Sequence, residues 1–195
     1  MDEGNFVSLD DENGMGYSID NIHPATPELT SALHEDMNVS LNWQYELEED
    51  FAYHSITSLN YSDNTISNEY SFYLDEHDEH WVNAFDTHGN VSENSQSLMS
   101  KSLHSGANLS SFNVLPECTS LPCVFESMCS NSPNPTGVIG QGEAAIHLGN
   151  CVFQGSLSEI DPNSGYWITM SENDVLLLMG EPTPRDAVYV LEEGA

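Results

Sequence analysis

Basic side chains are almost missing from this sequence. Lys101 and Arg185 are its only Lys and Arg residues, against 32 acidic residues, and the formal net charge is −30. Phosphate groups are bound by clustered Lys and Arg, so this composition excludes nucleic acid as a direct partner and disfavours an anionic membrane surface. Salt bridges cannot be a main source of stability. The charge fits an environment rich in salt or divalent cations, and a need for solubility explains it equally well.

Long apolar runs are also missing. The longest, residues 175–179, has the length of a strand, whereas a membrane-spanning helix needs about 20 apolar residues. Residues 1–5 are polar and acidic and lack the apolar core of a signal peptide. We therefore expect no membrane insertion. If the protein is secreted, this sequence is a mature form or an internal fragment.

Motifs for catalysis and cofactor binding are missing as well. Residues 137–142 have the order G-x-x-G-x-G, which is not the dinucleotide order, and no Lys follows as a P-loop requires, so these glycines are assigned to tight turns. The sequence contains no G-x-S-x-G nucleophile motif. Ser, His and Asp are too abundant for a catalytic triad to be recognised. We expect a protein that is not an enzyme and has no cofactor other than, at most, calcium.

Asp10, Asp11 and Asn13 are the candidate calcium ligands. They provide side-chain oxygens beside Gly14, but an EF-hand would place a Glu at the twelfth position, where Asn21 stands. A loose calcium site and a solvated loop both remain open.

The four cysteines all lie in the second half of the chain: Cys118, Cys123, Cys129 and Cys151. No C-x-x-C pair occurs, which disfavours a zinc ribbon. The spacings predict one or two disulfides in an oxidising compartment, with the connectivity open. Free buried thiols are the alternative.

Period-two alternation predicts a mainly β protein. Val39, Leu41 and Trp43 alternate with polar residues, and residues 70–74 and 81–85 repeat this pattern. Short strands between Asn, Asp and Gly turns are typical of a β-sandwich.

The first half resembles a fibronectin type III domain. Residues 24–29, 39–43 and 49–53 are similar to its strands A, B and C, and residues 80–93 are similar to strand F and the following turn. The resemblance covers about residues 20–100 and implies a β-sandwich. His80 stands where the family usually has the strand-F tyrosine.

The second half is similar to a repeat module of bacterial secreted and cell-surface proteins. Residues 138–146 and 155–167 carry this similarity. The Leu-x-x-Gly-Ala of residues 103–107 returns at residues 191–195. This repeated sequence favours tandem modules or subunits that meet head to tail.

Three regions are therefore expected. Residues 1–22 form an N-terminal extension, residues 23–100 a fibronectin type III-like domain, and residues 101–195 a β-rich module with one short helix near residues 119–128.

Several surface residues are candidates for binding. The apolar positions of the extension could add as a strand to a neighbouring sheet; they are Phe6, Val7, Leu9, Tyr17 and Ile19. Trp81 and Phe85 are expected to face outward on one strand, where they would bind glycan or a neighbouring protein, unless the extension or the second module covers them. Four N-x-S/T sequons could carry glycans, at Asn38, Asn60, Asn90 and Asn108.

Together these patterns predict an extracellular structural protein, a subunit or segment of a bacterial surface fibre or adhesin that assembles head to tail. Its expected partners are copies of itself and possible glycans. The alternative is a carbohydrate-binding or spacer module of a larger secreted enzyme.

Overall fold

The structure is a computed structural model, and it confirms the mainly β fold. It describes residues 21–35, 38–73, 79–129 and 134–184, and the backbone of residues 8–10 and 16–18. These last two segments form an antiparallel hairpin of β1 (Ser8–Asp10) and β2 (Gly16–Ser18). Among the described residues, no helix is long and apolar enough to cross a membrane.

The first half contains six strands in two facing sheets. The strands are β3 (Glu28–Glu35), β4 (Asn38–Gln44), β5 (Phe51–Ser58), β6 (Ser62–Thr65), β7 (Glu69–Tyr73) and β8 (Glu79–Asp86). One sheet has the order β3-β4-β7, and β8-β5-β6 belongs to the other. The predicted alternation in β4 is confirmed, since Val39, Leu41 and Trp43 are all buried in the core between the sheets. The result is a fold of the β-sandwich type.

The second sheet of the sandwich continues into the second half. Its full order is β11-β16-β9-β8-β5-β6, where β9 is Ser97–Leu103, β11 is Val114–Leu115 and β16 is Asp174–Pro182. Strand β9 pairs with β8 at Glu79 and His80, and it pairs with β16 from Ser97 to Leu103. Residue 101, the expected start of the second module, lies within β9.

Strand β16 has a core on each face. Val175 and Leu177 pack into the core of the first half, whereas Leu176 and Leu178 pack into that of the second half. A strand covered on both faces needs apolar residues at successive positions, which is why this run does not alternate.

A five-stranded antiparallel sheet covers the other side of the second core. Its order is β10-β15-β12-β13-β14, with β10 (Gly106–Ser111), β12 (Gly137–Ile139), β13 (Ala144–His147), β14 (Phe153–Gly155) and β15 (Gly165–Met170). Between this sheet and β16 lie two single-turn helices, α1 (Leu121–Val124) and α2 (Glu126–Cys129). The one short helix expected from the sequence is thus divided at Phe125, which is fully buried.

Two disulfides connect the predicted cysteines. Cys118 bonds to Cys123 within α1, and Cys129 at the end of α2 bonds to Cys151 in the turn between β13 and β14. The second bond joins the helical segment to the five-stranded sheet. Disulfides of this kind are typical of an oxidising, extracellular environment.

Candidate functional site

The predicted aromatic pair lies on one face of β8. Trp81 and Phe85 are both partly buried. Phe85 stacks on Tyr53 of the neighbouring strand, with ring centroids 4.8 Å apart and an interplanar angle of 12°. Trp81 instead lines a surface groove.

This groove, which we call the Trp81 groove, has a volume of about 700 Å³. Its walls come from β8, from the segment leading into β9, from the residue before β11 and from the end of β16. The polar and aromatic side chains that line it include Glu79, Trp81, Asn94, Asn113, Glu181 and Thr183. The groove thus combines residues from both halves of the chain.

Hydrogen bonds fix the position of the Glu79 carboxylate in the groove. Ser97 donates to one carboxylate oxygen over 2.7 Å, and the side-chain amide of Asn113 donates to the other over 3.3 Å. Asn94 is held in a similar way, because its side-chain oxygen accepts from the amide of buried Asn83 over 2.9 Å. The polar lining is therefore ordered by the protein itself.

A second surface was missed by the sequence interpretation. The outer face of the five-stranded sheet carries a cross-strand row in which Trp167 pairs with Leu109 on one side and with Ile139 on the other. The adjacent hairpin adds further exposed apolar side chains. We call this surface the Trp167 face and define it as Leu109, Ile139, Ile146, Leu148, Val152 and Trp167, which are between 46% and 67% exposed.

Alternation in β15 explains why Trp167 is exposed. Tyr166, Ile168 and Met170 point into the core, so Trp167 must point away from it. The same period-two argument applied to residues 165–170 would have found it. None of the five strands of this sheet contains an Asp or Glu, although acidic residues number 32 in the whole chain.

Two carboxylates and an imidazole lie close together at the end of β8. Possible ligand atoms of Asp50, Asp86 and His88 lie within 4.8 Å of one another. Asp86 is almost fully buried, and its carboxylate accepts hydrogen bonds from the backbone N–H groups of His88 and Asn90, each over 2.8 Å. Burial would raise the pKa of Asp86, but these bonds and those from the Asn90 side chain and Gly89 outweigh it and lower the pKa. The geometry is that of a carboxylate that closes a turn.

The first core contains a buried histidine. The His54 ring contacts the rings of Trp43, Tyr45 and Phe51, with centroids between 4.7 and 5.3 Å apart. Burial lowers the pKa of His54, although the backbone of Ser67 opposes this shift in part. Neither ring nitrogen has a hydrogen bond of normal geometry to a described residue. The imidazole is therefore neutral at pH 7 and packs as an aromatic ring.

The candidates of the N-terminal extension are only partly described. Phe6, Val7 and Ile19 lie outside the described residues, as do the calcium candidates Asp11 and Asn13. Of Asp10 the backbone alone is described, at the end of β1. Leu9 and Tyr17 are register partners in the hairpin.

The four sequons differ in accessibility. Asn38 and Asn60 are exposed, and Asn90 is half-buried and donates to Asp86 over 2.7 Å. Asn108 is buried, and its side-chain amide donates to the His104 carbonyl over 2.8 Å. A glycan on Asn108 would have to break this bond.

Comparisons with known proteins find little that is similar to this chain. No protein-family model and no curated protein matches the chain. Among solved structures, chitinase ChiA74 from Bacillus thuringiensis is similar with a TM-score of 0.34 and 13% identity, over 82% of this chain and 27% of the chitinase chain. This chain thus spans about a quarter of the length of that protein. A similarity of this degree supports no conclusion about fold or activity.

Proposed function

We propose that this chain is an extracellular, non-enzymatic structural protein, a subunit or segment of a bacterial surface assembly, whose copies associate through the Trp167 face. The apolar, acid-free character of that face supports the proposal. The two disulfides support an extracellular location. The strand orders β3-β4-β7 and β9-β8-β5-β6 support the resemblance of residues 23–100 to fibronectin type III domains.

The size of the Trp167 face suits a contact between proteins. Its six side chains present roughly 600 Å² of surface, at the upper end of about 300–600 Å² for the largest apolar patch of a typical monomer. Two copies that bury this face against each other would remove roughly 1,200 Å² from water, which is the lower limit of a standard specific interface.

The charge of the chain explains why two copies would meet at the Trp167 face. Two chains with a net charge of −30 repel each other, and with only two Lys and Arg residues they cannot form many ion pairs. A contact between copies must therefore be neutral and keep carboxylates apart. The Trp167 face meets both conditions, because its strands have no acidic residue. Salt should strengthen the association, since at 0.1 M the repulsion between exposed charges more than about 10 Å apart is largely screened.

Sedimentation velocity of the full chain tests this proposal. We expect the wild type to shift from monomer towards dimer as NaCl rises from 0.05 to 0.5 M. The double variant Leu109→Ser/Trp167→Ser should stay monomeric at both concentrations. The control is Ile66→Ser, which removes an 81% exposed apolar side chain from the first half and should behave like the wild type. A wild type that stays monomeric at every salt concentration would refute the proposal.

A filament needs a second kind of contact. A face that meets its own copy gives a closed dimer, whereas growth requires a heterologous contact. Residues 1–19 are our candidate for that contact, because they contain the apolar positions that could add to a sheet edge. Negative-stain microscopy at protein concentrations well above those of the sedimentation runs, with and without calcium, should show filaments for the full chain and dimers after deletion of residues 1–19. Unchanged filaments after the deletion would eliminate this segment.

A further inference from the structure

The Trp81 groove has the chemistry of a site for a polyhydroxylated ligand. Trp81 offers part of an indole ring as an apolar platform, Glu79 and Glu181 offer carboxylate acceptors, and Asn94 and Asn113 offer amides. No Lys, Arg or His is among the residues that the structure places around the groove. The described lining disfavours an anionic ligand, because the carboxylates of Glu79 and Glu181 would repel it.

We propose that the Trp81 groove binds a neutral saccharide. The apolar face of one sugar ring would pack on the indole of Trp81, and its hydroxyl groups would donate to Glu79 and Glu181 and bond to the amides of Asn94 and Asn113. Sites for small polar ligands characteristically combine an apolar surface with a few fixed polar groups. The site goes beyond the proposed self-association and is separate from the Trp167 face.

The polar groups of the groove are fixed before a ligand arrives. Buried Asn83 donates to the side-chain oxygen of Asn94 and also to the carbonyls of Ser92 and Glu93, over 3.2 and 3.0 Å. Ser95, also buried, accepts from the Val82 N–H over 2.9 Å. Side chains that are already ordered lose little entropy on binding, which favours affinity for a weakly attracting, neutral ligand.

A basic peptide is the rival ligand, since an ammonium group can contact both a carboxylate and an indole ring. The composition of the chain argues against it. Carboxylates are abundant elsewhere in a chain with 32 acidic residues, so two of them give a cation little reason to select this groove. The distinctive features of the groove are its indole ring and its ordered amides. These features favour a ligand with hydroxyl groups.

Isothermal titration of the full chain with neutral hexasaccharides of glucose, mannose and N-acetylglucosamine tests the proposal. We expect at least one of them to bind, with an affinity that is unchanged between 0.05 and 0.5 M NaCl. Trp81→Ala should weaken binding about tenfold or more, because it removes the stacking surface. Glu181→Gln keeps the shape of an exposed side chain and should weaken binding severalfold. The control is Tyr73→Ala, which removes a 69% exposed aromatic side chain from the β3-β4-β7 sheet, outside both proposed surfaces, and should leave the affinity unchanged.

Three results would overturn the assignment. The wild type could bind none of the hexasaccharides, or it could bind one of them with an affinity that Trp81→Ala and Glu181→Gln leave unchanged. The third result is binding of hexalysine, lost in Trp81→Ala and fading with salt, in the absence of saccharide binding. None of these results bears on self-association, because the Trp167 face is tested by sedimentation.

Discussion

Removal of the Cys129–Cys151 disulfide should destabilise the protein more than removal of Cys118–Cys123. The first bond closes a loop with a sequence separation of 22, and the second closes one of only 5. In the loop-entropy account, the longer loop contributes about 3.4 kcal/mol and the shorter about 2.1 kcal/mol to the free energy of unfolding. For a chain of this length, those losses correspond to roughly 8 and 5 °C in melting temperature.

Burial increases the difference between the two disulfides. Cys129 is 1% exposed and belongs to the core of the second half, so its replacement by Ala also removes packing. Cys118 is exposed, and its replacement removes little more than the bond.

Thermal unfolding followed by circular dichroism, on the wild type and the two double Cys→Ala variants, measures both effects. Peptide mapping of the wild type without reduction checks the pairing. The reasoning fails if loss of Cys118–Cys123 lowers the melting temperature as much as loss of Cys129–Cys151, or if the latter changes nothing.

Two other perturbations have clear directions. Gly180→Ala should cost about 3 kcal/mol or more, because an added Cβ would lie 1.8 Å from the Leu115 carbonyl oxygen and β11 would have to leave β16. In the control Gly165→Ala the Cβ meets nothing within 4 Å, so thermal unfolding should separate the two variants; equal losses would contradict the steric argument. Burial lowers the pKa of His54 in the folded protein, so this imidazole binds a proton more readily in the unfolded chain. The free energy of unfolding should therefore fall as the pH drops below about 6.5, by at most about 1.4 kcal/mol per pH unit. In denaturant titrations between pH 7.5 and 5, His54→Phe should lose this contribution and exposed His104→Gln should keep it; identical pH profiles for wild type and His54→Phe would show that His54 is not buried and neutral.

The strand character of the chain could be predicted from the sequence. In β4, Val39, Leu41 and Trp43 alternate with polar side chains, and this pattern is sufficient because side chains point to opposite faces in turn. The presence of disulfides followed from cysteine count and spacing, but their pairing did not. A helical segment was also expected near residues 119–128, and the structure places its N-cap at Ser120 and a proline in its first turn.

The candidate sites were only partly predictable. Trp81 was identified from its strand, but the groove around it was not, because Glu79, Asn113 and Glu181 come from segments far apart in sequence. Trp167 was accessible to the same alternation argument. Its place at the centre of an apolar face depends on the pairing of β15 with β10 and β12.

The sequence by itself determined that the chain is mainly β, how acidic it is and which cysteines can oxidise, because these properties depend on side-chain chemistry and local periodicity. Only the tertiary structure decided that β9 pairs with β16 across some 70 residues and that Val175 and Leu176 enter different cores. Backbone hydrogen bonds between strands are chemically alike for most sequences. Which strands pair with each other therefore depends on whether the whole fold covers all of their apolar faces. The local sequence pattern of one strand does not contain this information.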